Sequence, residues 1–317
     1  VLGAIEAQKE LSDDIRLVLI GDKSKVEEIL KREAIDASLF DLIHASEVIE
    51  MEEHPAKAYR KKQDSSIAKG FDLLQKNEIQ VFASAGNSGA MLVGSMYTIR
   101  PIPGIIRPSI TSVLPKDNGG VGVILDVGIN ADCKPDVLYQ FGILGSLYAE
   151  SVFGIKDPKV GLLNIGEEEG KGNLLSQAAY QVMKESKDFN FVGNVEGRDL
   201  FSDNVDVVVC DGFVGNSLLK FGEGVSELFF TFFKSEWKQS FISKIGLLFL
   251  NPGLKRFKRK FDYQETGGAP LLGVNGVSIV AHGKSNSIAI KNALKVAHKT
   301  VESNMVATME KAFSDDN

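Results

Sequence analysis

Cysteine is almost missing: Cys133 and Cys210 are the only two in 317 residues. Two isolated thiols exclude a disulfide-stapled scaffold and suit a reducing compartment. Each sits beside an apolar run and reads as an inert, part-buried thiol rather than an acyl-carrying nucleophile. No apolar run reaches the roughly 18 residues of a spanning helix, and no signal peptide opens the chain. An excess of positive charge is lacking too. Lys and Arg number 36 against 42 Asp and Glu, for a net charge of −6 and a pI near 5.4, so a globally basic nucleic-acid binder is excluded. No HExxH spacing occurs, and no His or Cys completes a ligand set around Glu167-Glu168-Glu169, which reads as a solvated acidic loop. No GxGxxG follows the first strand, and no Ser or Thr follows Lys171 to make 166–172 a phosphate-binding P-loop. Neither a metal nor a cofactor is expected. Proline is scarce at 9 and glycine plentiful at 31, which favours many tight strand-to-helix turns. The chain opens without Met and inside a helix-like run, so sequence upstream is expected.

What is present is a strand–helix alternation. Ile15–Gly21 reads as a strand and Val26–Leu30 as helix. Ile79–Ala83 is a strand followed by the apolar stretch Ala90–Tyr97. Val121–Val127, Lys159–Ile165, Val205–Cys210 and Val277–Ala281 read as strands. Val137–Phe153, Leu174–Met183, a long segment from about Asn216, and Asn286–Lys311 read as helices. Such alternation means an α/β fold with a mainly parallel sheet and helices on both faces. One domain over 1–317, or two intimate subdomains, is expected, with 225–262 protruding. Ligands on such sheets sit at the carboxyl ends of the strands.

Two loops there share a triplet. Residues 79–92 and 205–219 each run from an apolar strand through a small-residue turn and Gly-Asn-Ser into an apolar helix. The first offers Ser84, Gly86, Asn87, Ser88 and Gly89; the second offers Asp211, Gly212, Gly215, Asn216 and Ser217. A third, 161–175, has Gly170, Gly172 and Asn173 in a similar place. Gly permits close approach, Asn or Ser caps the helix, and free N–H groups with the macrodipole favour an anion. One such loop is usually only a well-capped helix; two alike suggest a cradle for phosphate or a developing oxyanion. Further candidates are Asn130, Asp132 and Lys134 after the 121–127 strand, with Pro135 starting a helix. Arg107 could clamp phosphate bidentately or hold a loop by a salt bridge. His282, at the end of the last strand, could polarise a carbonyl or protonate a leaving thiolate, or be structural. A rival reading takes Ser88, Asp211 and His282 as a hydrolase triad, since Gly86-Asn87-Ser88-Gly89-Ala90 approaches G-x-S-x-G. Ala90 in place of the last glycine, and the recurrence of the triplet, speak against it.

Residues 228–261 depart from the acidic background. Aromatic and aliphatic residues including Phe241, Ile245, Leu248 and Phe249 are followed by Lys255, Arg256, Lys258 and Arg259. This reads as an interfacial anchor meeting an anionic membrane surface, with a dimer interface or an acidic carrier protein as the other readings.

With these residues in view, the chain resembles the bacterial phosphate acyltransferase family of phospholipid synthesis, PlsX. The matching strings are SAGNSGAML at 84–92, RPSI at 107–110, LDVGINADCKPDVLYQFG at 125–142, KVGLLNIGEEEGKGN at 159–173, NVEGRDLF at 194–201, VVVCDGFVGNSLLK at 207–220 and GGAPLLGVNGVSIVAHGKSN at 267–286. They cover most of the chain from about residue 80; the first 75 residues match only in general pattern, and the family's N-terminal strand and glycine-aspartate-rich turn are not in this chain. The resemblance implies transfer of a fatty acyl group from acyl carrier protein to inorganic phosphate. It implies a fold related to phosphotransacetylases and isocitrate dehydrogenase-like enzymes, and a homodimer that is cytoplasmic and peripherally membrane-associated. The product would pass to a membrane glycerol-3-phosphate acyltransferase. On this reading phosphate sits between Gly86–Ser88 and Gly215–Ser217, Lys134 or Arg107 adds charge, and His282 or Lys171 protonates the leaving thiol. A serine hydrolase and a non-catalytic carrier-binding scaffold at the membrane are the alternatives.

Overall fold

Short β-branched runs such as Val207-Val208-Val209, apolar on both faces, can only be strands buried from both sides. In the computed structural model, which describes residues 1–12, 14–236, 246, 249–250, 253 and 267–314, they form one large sheet. Its strands are β3 (Val81–Ser84), β4 (Ser109–Pro115), β5 (Val121–Leu125), β6 (Lys159–Leu163), β7 (Asn190–Val195), β8 (Val207–Val209), β9 (Ala269–Leu272) and β10 (Val277–Val280), in the order β3-β10-β9-β4-β5-β8-β6-β7. A second sheet pairs β1 (Leu17–Gly21) with β2 (Phe40–His44) in parallel.

The helices are α1 (Leu2–Gln8), α2 (Lys23–Arg32), α3 (Pro55–Lys61), α4 (Ser66–Gln75), α5 (Ser88–Gly94), α6 (Pro135–Phe153), α7 (Leu174–Lys184), α8 (Gly212–Glu236), α9 (Ser287–Glu302) and α10 (Met305–Ser314). Side chains alternate across the strands, so each helix can be assigned to a face. Val123, Leu125, Val207 and Val209 pack with Phe141, Leu144 and Tyr148 of α6 and with Ala179 and Met183 of α7. Ile124 and Val208, pointing the other way, pack with Val214, Leu218 and Leu219 of α8. At the other end of the strand order, Phe82 packs with Ala90 and Met91 of α5, while Ile279 packs with Ala293 and Ala297 of α9. Each fully buried Phe or Leu in these layers contributes about 1.5–3 kcal/mol.

The expected alternation is present, and four of the seven neighbouring strand pairs among the described residues are parallel. The remaining three, β10/β9, β9/β4 and β4/β5, are antiparallel and lie together in the middle. Three reversals are an odd number. The parallel pair β3/β10 therefore runs opposite to the parallel group β5/β8/β6/β7, and the carboxyl ends of the two groups face opposite poles of the sheet. Two helix boundaries also differ from expectation. The segment expected as helix over 286–311 breaks into α9 and α10 at Asn304, whose φ is +51°; Asn is among the few residues that tolerate that left-handed turn. The long helix expected from about Asn216 begins at Gly212. No helix among the described residues is long and apolar enough to cross a membrane.

Candidate active site

An α/β sheet opens a crevice where two adjacent parallel strands send their chains to helices on opposite faces. Among the described residues such pairs occur at both poles: β3/β10 at one, and β5/β8 with β8/β6 at the other. At the first, β3 leads to α5 on one face and the hydrogen-bonded neighbour β10 leads to α9 on the other. At the second, β5 leads to α6 and its neighbour β8 leads to α8.

The first crevice gathers Ser84, Gly86, Asn87, Ser88, Gly89 and His282. The strands stay joined to their ends, since Ala281 N–H donates to Ser84 O at 2.9 Å, and Gly86 N–H donates to Ser84 Oγ at 3.1 Å. Both helices are capped by asparagine. Asn87 Oδ1 accepts from Ala90 N at 2.9 Å and Asn286 Oδ1 accepts from Ala289 N at 3.0 Å. Caps of this kind satisfy one donor and leave the first turn's others pointing outward. Among the described residues, the N–H groups of Ser88, Gly89, Ser287 and Ile288 have no acceptor. Ser88 and His282 are exposed, so a ligand can reach these donors. Lys284 N–H donates to His282 Nδ1 at 3.2 Å. Gly89 has a packing reason: a methyl there would sit 2.4 Å from Pro55 Cγ of α3.

The second crevice holds Arg107, Asn130, Asp132, Lys134, Asp211, Gly212, Gly215, Asn216 and Ser217. Arg107 Nη1 donates to Asp132 O at 2.9 Å, and Gly212 N–H donates to Asn130 O at 2.7 Å. The loop after β5, residues 127–130, holds a carboxylate of its own. The loop's N–H groups are already occupied by a carboxylate: Asp126 accepts from Gly128 N at 3.1 Å, Ile129 N at 3.2 Å, and Asn130 N at 2.7 Å. Asp126 is fully buried, and burial pushes its carboxyl up against the downward pull of those bonds. Asp211 Oδ1 accepts from Val214 N at 2.8 Å, and caps α8. Gly215, Asn216 and Ser217 consequently lie inside the helix rather than before it. Gly215 allows α8 to approach the loop, since a methyl there would sit 2.0 Å from Asp126 O. Ser217 Oγ donates back to Phe213 O at 2.7 Å.

The two Gly-Asn-Ser triplets thus do not meet within the chain, and the single cradle expected between them is not formed. The hydrolase triad fails with it, because Asp211 is at the opposite pole from Ser88 and His282. Lys171 lies on the Gly166–Asn173 loop after β6, at the same pole as Asp211, with its Nζ 3.9 Å from Glu168 Oε1; it is no neighbour of His282. Beside it, β6, β8, α7 and α8 enclose a cavity of about 450 Å³, lined by Leu162, Leu175, Val214 and Leu218 among others. Glu167, Glu168 and Glu169 turn to different cations, Arg198, Lys171 and Lys184. Cys133 is held near the second crevice with its thiol pushed up to about 12, first by burial and then by Asp126 and Asp211. Cys210 is buried and its thiol is pushed well up by the same causes. Both are unsuited to nucleophilic work. Of the proposed membrane residues, Phe241, Ile245, Leu248, Lys255, Arg256, Lys258 and Arg259 lie outside the described residues; Phe249 is exposed.

Lys284 and Asn286 were missed by the sequence reading. The signal was an asparagine four residues after His282, just ahead of an apolar helix, in the same capping position that Asn87 holds.

A family model described as "Fatty acid synthesis protein" matches residues 1–308. The chain is 49% identical over 300 residues to a phosphate acyltransferase of Dictyoglomus thermophilum, covering 95% of this chain and 89% of that one. It is 45% identical to a phosphate acyltransferase of Halothermothrix orenii, covering 100% of this chain and 94% of the other. A phosphotransacetylase from Streptococcus pyogenes superposes with a TM-score of 0.62 at 15% identity, over 95% of this chain and 91% of that one. One from Staphylococcus aureus gives 0.59 at 16% identity, over 94% and 90%; these two likenesses concern the fold.

Proposed function

This chain belongs to the fatty acid synthesis protein family, and from that premise we propose that it transfers a fatty acyl group from acyl carrier protein to inorganic phosphate. It is an acyltransferase with an α/β fold like that of phosphotransacetylases. The observation that carries the proposal is the first crevice: two asparagine-capped helices, α5 and α9, present first-turn N–H groups that have no acceptor among the described residues. Helix N-termini of this kind bind phosphate through those donors and the dipole.

One oxygen of hydrogen phosphate would attack the thioester carbonyl carbon. The carbonyl oxygen would take up negative charge facing the N–H groups of Ser88 and Gly89 or of Ser287 and Ile288. A single oxyanion donor is worth about 3 kcal/mol in other enzymes. The tetrahedral species would then break its C–S bond. His282 would take the proton released by the attacking phosphate and, as imidazolium, deliver it to the departing thiolate. Acyl phosphate and free carrier thiol would leave. Positioning a bulky thioester against an anion in one gap supplies much of the remaining acceleration. Arg107, Lys134 and Lys171 have no part in this step, because the chain holds them at the far pole.

The finer parts of the proposal have separate support. The apolar stripe Phe221, Val225, Leu228, Phe229 and Phe232 on α8 is exposed and falls at helical spacing, which suits a homodimer. The basic-aromatic run at 241–260 suits peripheral association with an anionic membrane from the cytoplasm, where acyl phosphate would pass to a glycerol-3-phosphate acyltransferase for phospholipid synthesis.

Acyl-carrier thioester, with and without phosphate, tests the whole: thiol release and hydroxylamine-trapped acyl phosphate should both require phosphate. Thiol release in its absence ends the transferase reading. Ser88→Ala keeps the backbone N–H that faces the anion and removes only the hydroxyl, so kcat/KM should fall by no more than about tenfold, the value of one hydrogen bond to a charged group. A triad serine would lose on the order of 10⁴ or more. Asp211→Asn, which keeps the cap oxygen, should leave turnover near wild type.

A further inference from the structure

The loop at 45–54, between β2 and α3, overhangs the first crevice. Its backbone is turned inward: Asn87 Nδ2 donates to the carbonyls of Glu50 at 3.0 Å, Met51 at 3.2 Å and Glu53 at 3.2 Å. Lys62 Nζ fastens it from behind, on Val48 O and Glu53 Oε2, each at 2.6 Å. Ile49 plugs into the core. With its carbonyls and Ile49 committed inward, the loop sends Val48 and Met51 outward, 62% and 53% exposed. Met51 reaches the segment after β10: a methyl placed on Gly283 would lie 2.8 Å from Met51 Cε and 4.0 Å from Ala85 O. Its terminal methyl therefore lies against Gly283, the residue that follows His282 in the chain. Ile288, the second residue of α9, is also exposed there at 42%.

We propose that Met51, held on this tethered loop, is the specificity-determining contact for the first methylenes of the acyl chain, beside the reacting carbonyl. The inference rests on the transferase reading above. A crevice that must hold an anion and an acyl group needs an apolar wall at its mouth, and the loop supplies one. An unbranched thioether adapts to a flexible chain better than a branched side chain does. Its exposure is otherwise costly, and the loop's clamps keep it from folding inward. Because the same asparagine caps α5 and grips the loop, the anion donors and the apolar wall are fixed relative to each other.

The test compares a palmitoyl and an acetyl thioester on the same carrier. Met51→Ala should lower kcat/KM for the palmitoyl donor by roughly tenfold, a typical effect of losing one apolar contact. The fall for the acetyl donor, which offers only one carbon beyond the carbonyl, should be several-fold smaller, about the value of a lost methylene contact or less. Met51→Leu should restore most of the loss. An equal fall for both donors would mark a merely structural role, and no change for either would remove Met51 from the site; both outcomes overturn the inference. Wild-type protein that fails to make acyl phosphate from either donor would instead defeat the transferase reading, so the two failures are told apart.

Discussion

Asn87 uses both ends of its amide, one to cap α5 and the other to grip three carbonyls of the 50–53 turn. Asn87→Ala should cost about 1–2 kcal/mol for the cap and more for the stranded carbonyls, and should raise the KM for phosphate; urea denaturation and phosphate titration measure the two. Asn87→Asp keeps the cap oxygen but sets a negative charge beside the anion donors and loses the grip on the turn. Its phosphate KM should exceed that of the alanine variant. The cap was legible in the sequence, because asparagine before an apolar helix has a local cause. The grip was not, because the turn it holds lies more than thirty residues away. Asn216 shows the opposite error. An identical triplet follows a strand, but Asp211, five residues earlier, captures the helix start and draws the asparagine into the helix body.

Elements were legible where a single face or cap decides them. The helices α6 and α7 begin and end within a residue or two of their expected bounds, since Pro135 and Asn173 mark their starts. Strands β4 and β9, which carry the reversals, were missed. Each holds a proline, and β9 has only four residues. After α5 the chain widens into a π-turn over Ser95–Ile99 and ends at Arg100, whose φ of +66° and ψ of +156° suit glycine alone. Asn275 enforces it, since Asn275 N–H donates to Arg100 O at 2.9 Å and its Nδ2 donates to Ile99 O at 3.2 Å and Pro101 O at 3.0 Å. That conformation costs about 1–3 kcal/mol in a non-glycine residue, against about 0.5–1 kcal/mol of extra chain entropy for glycine. Arg100→Gly should therefore stabilise the protein by about 1 kcal/mol, read as a higher denaturation midpoint at unchanged slope.

At the scale of the whole molecule, acid should loosen the N-terminal part first. Glu10 bridges Lys291 and Lys295 of α9, and hydrogen bonds to these lysines hold its carboxyl at about 2. Asp64, bonded to Lys69 and Ser46, and Asp22 and Asp36, capping with backbone N–H groups, are lowered as well. A depressed carboxyl stabilises the fold above its unfolded value and loses that contribution as pH falls toward the folded one. For Glu10 the window runs from about 4.5 down to about 2. Amide exchange at pH 3 should rise in α1 ahead of α6, whereas at pH 7 both stay protected; simultaneous opening would refute the order. The odd count of reversals at the centre of the sheet has a practical corollary for chemical mapping. Tungstate or vanadate lodged beside α5 would shield His282 from diethyl pyrocarbonate yet leave Lys134 and Lys171 of the same chain open to amine reagents, so protection patterns would sort these residues into two independent groups.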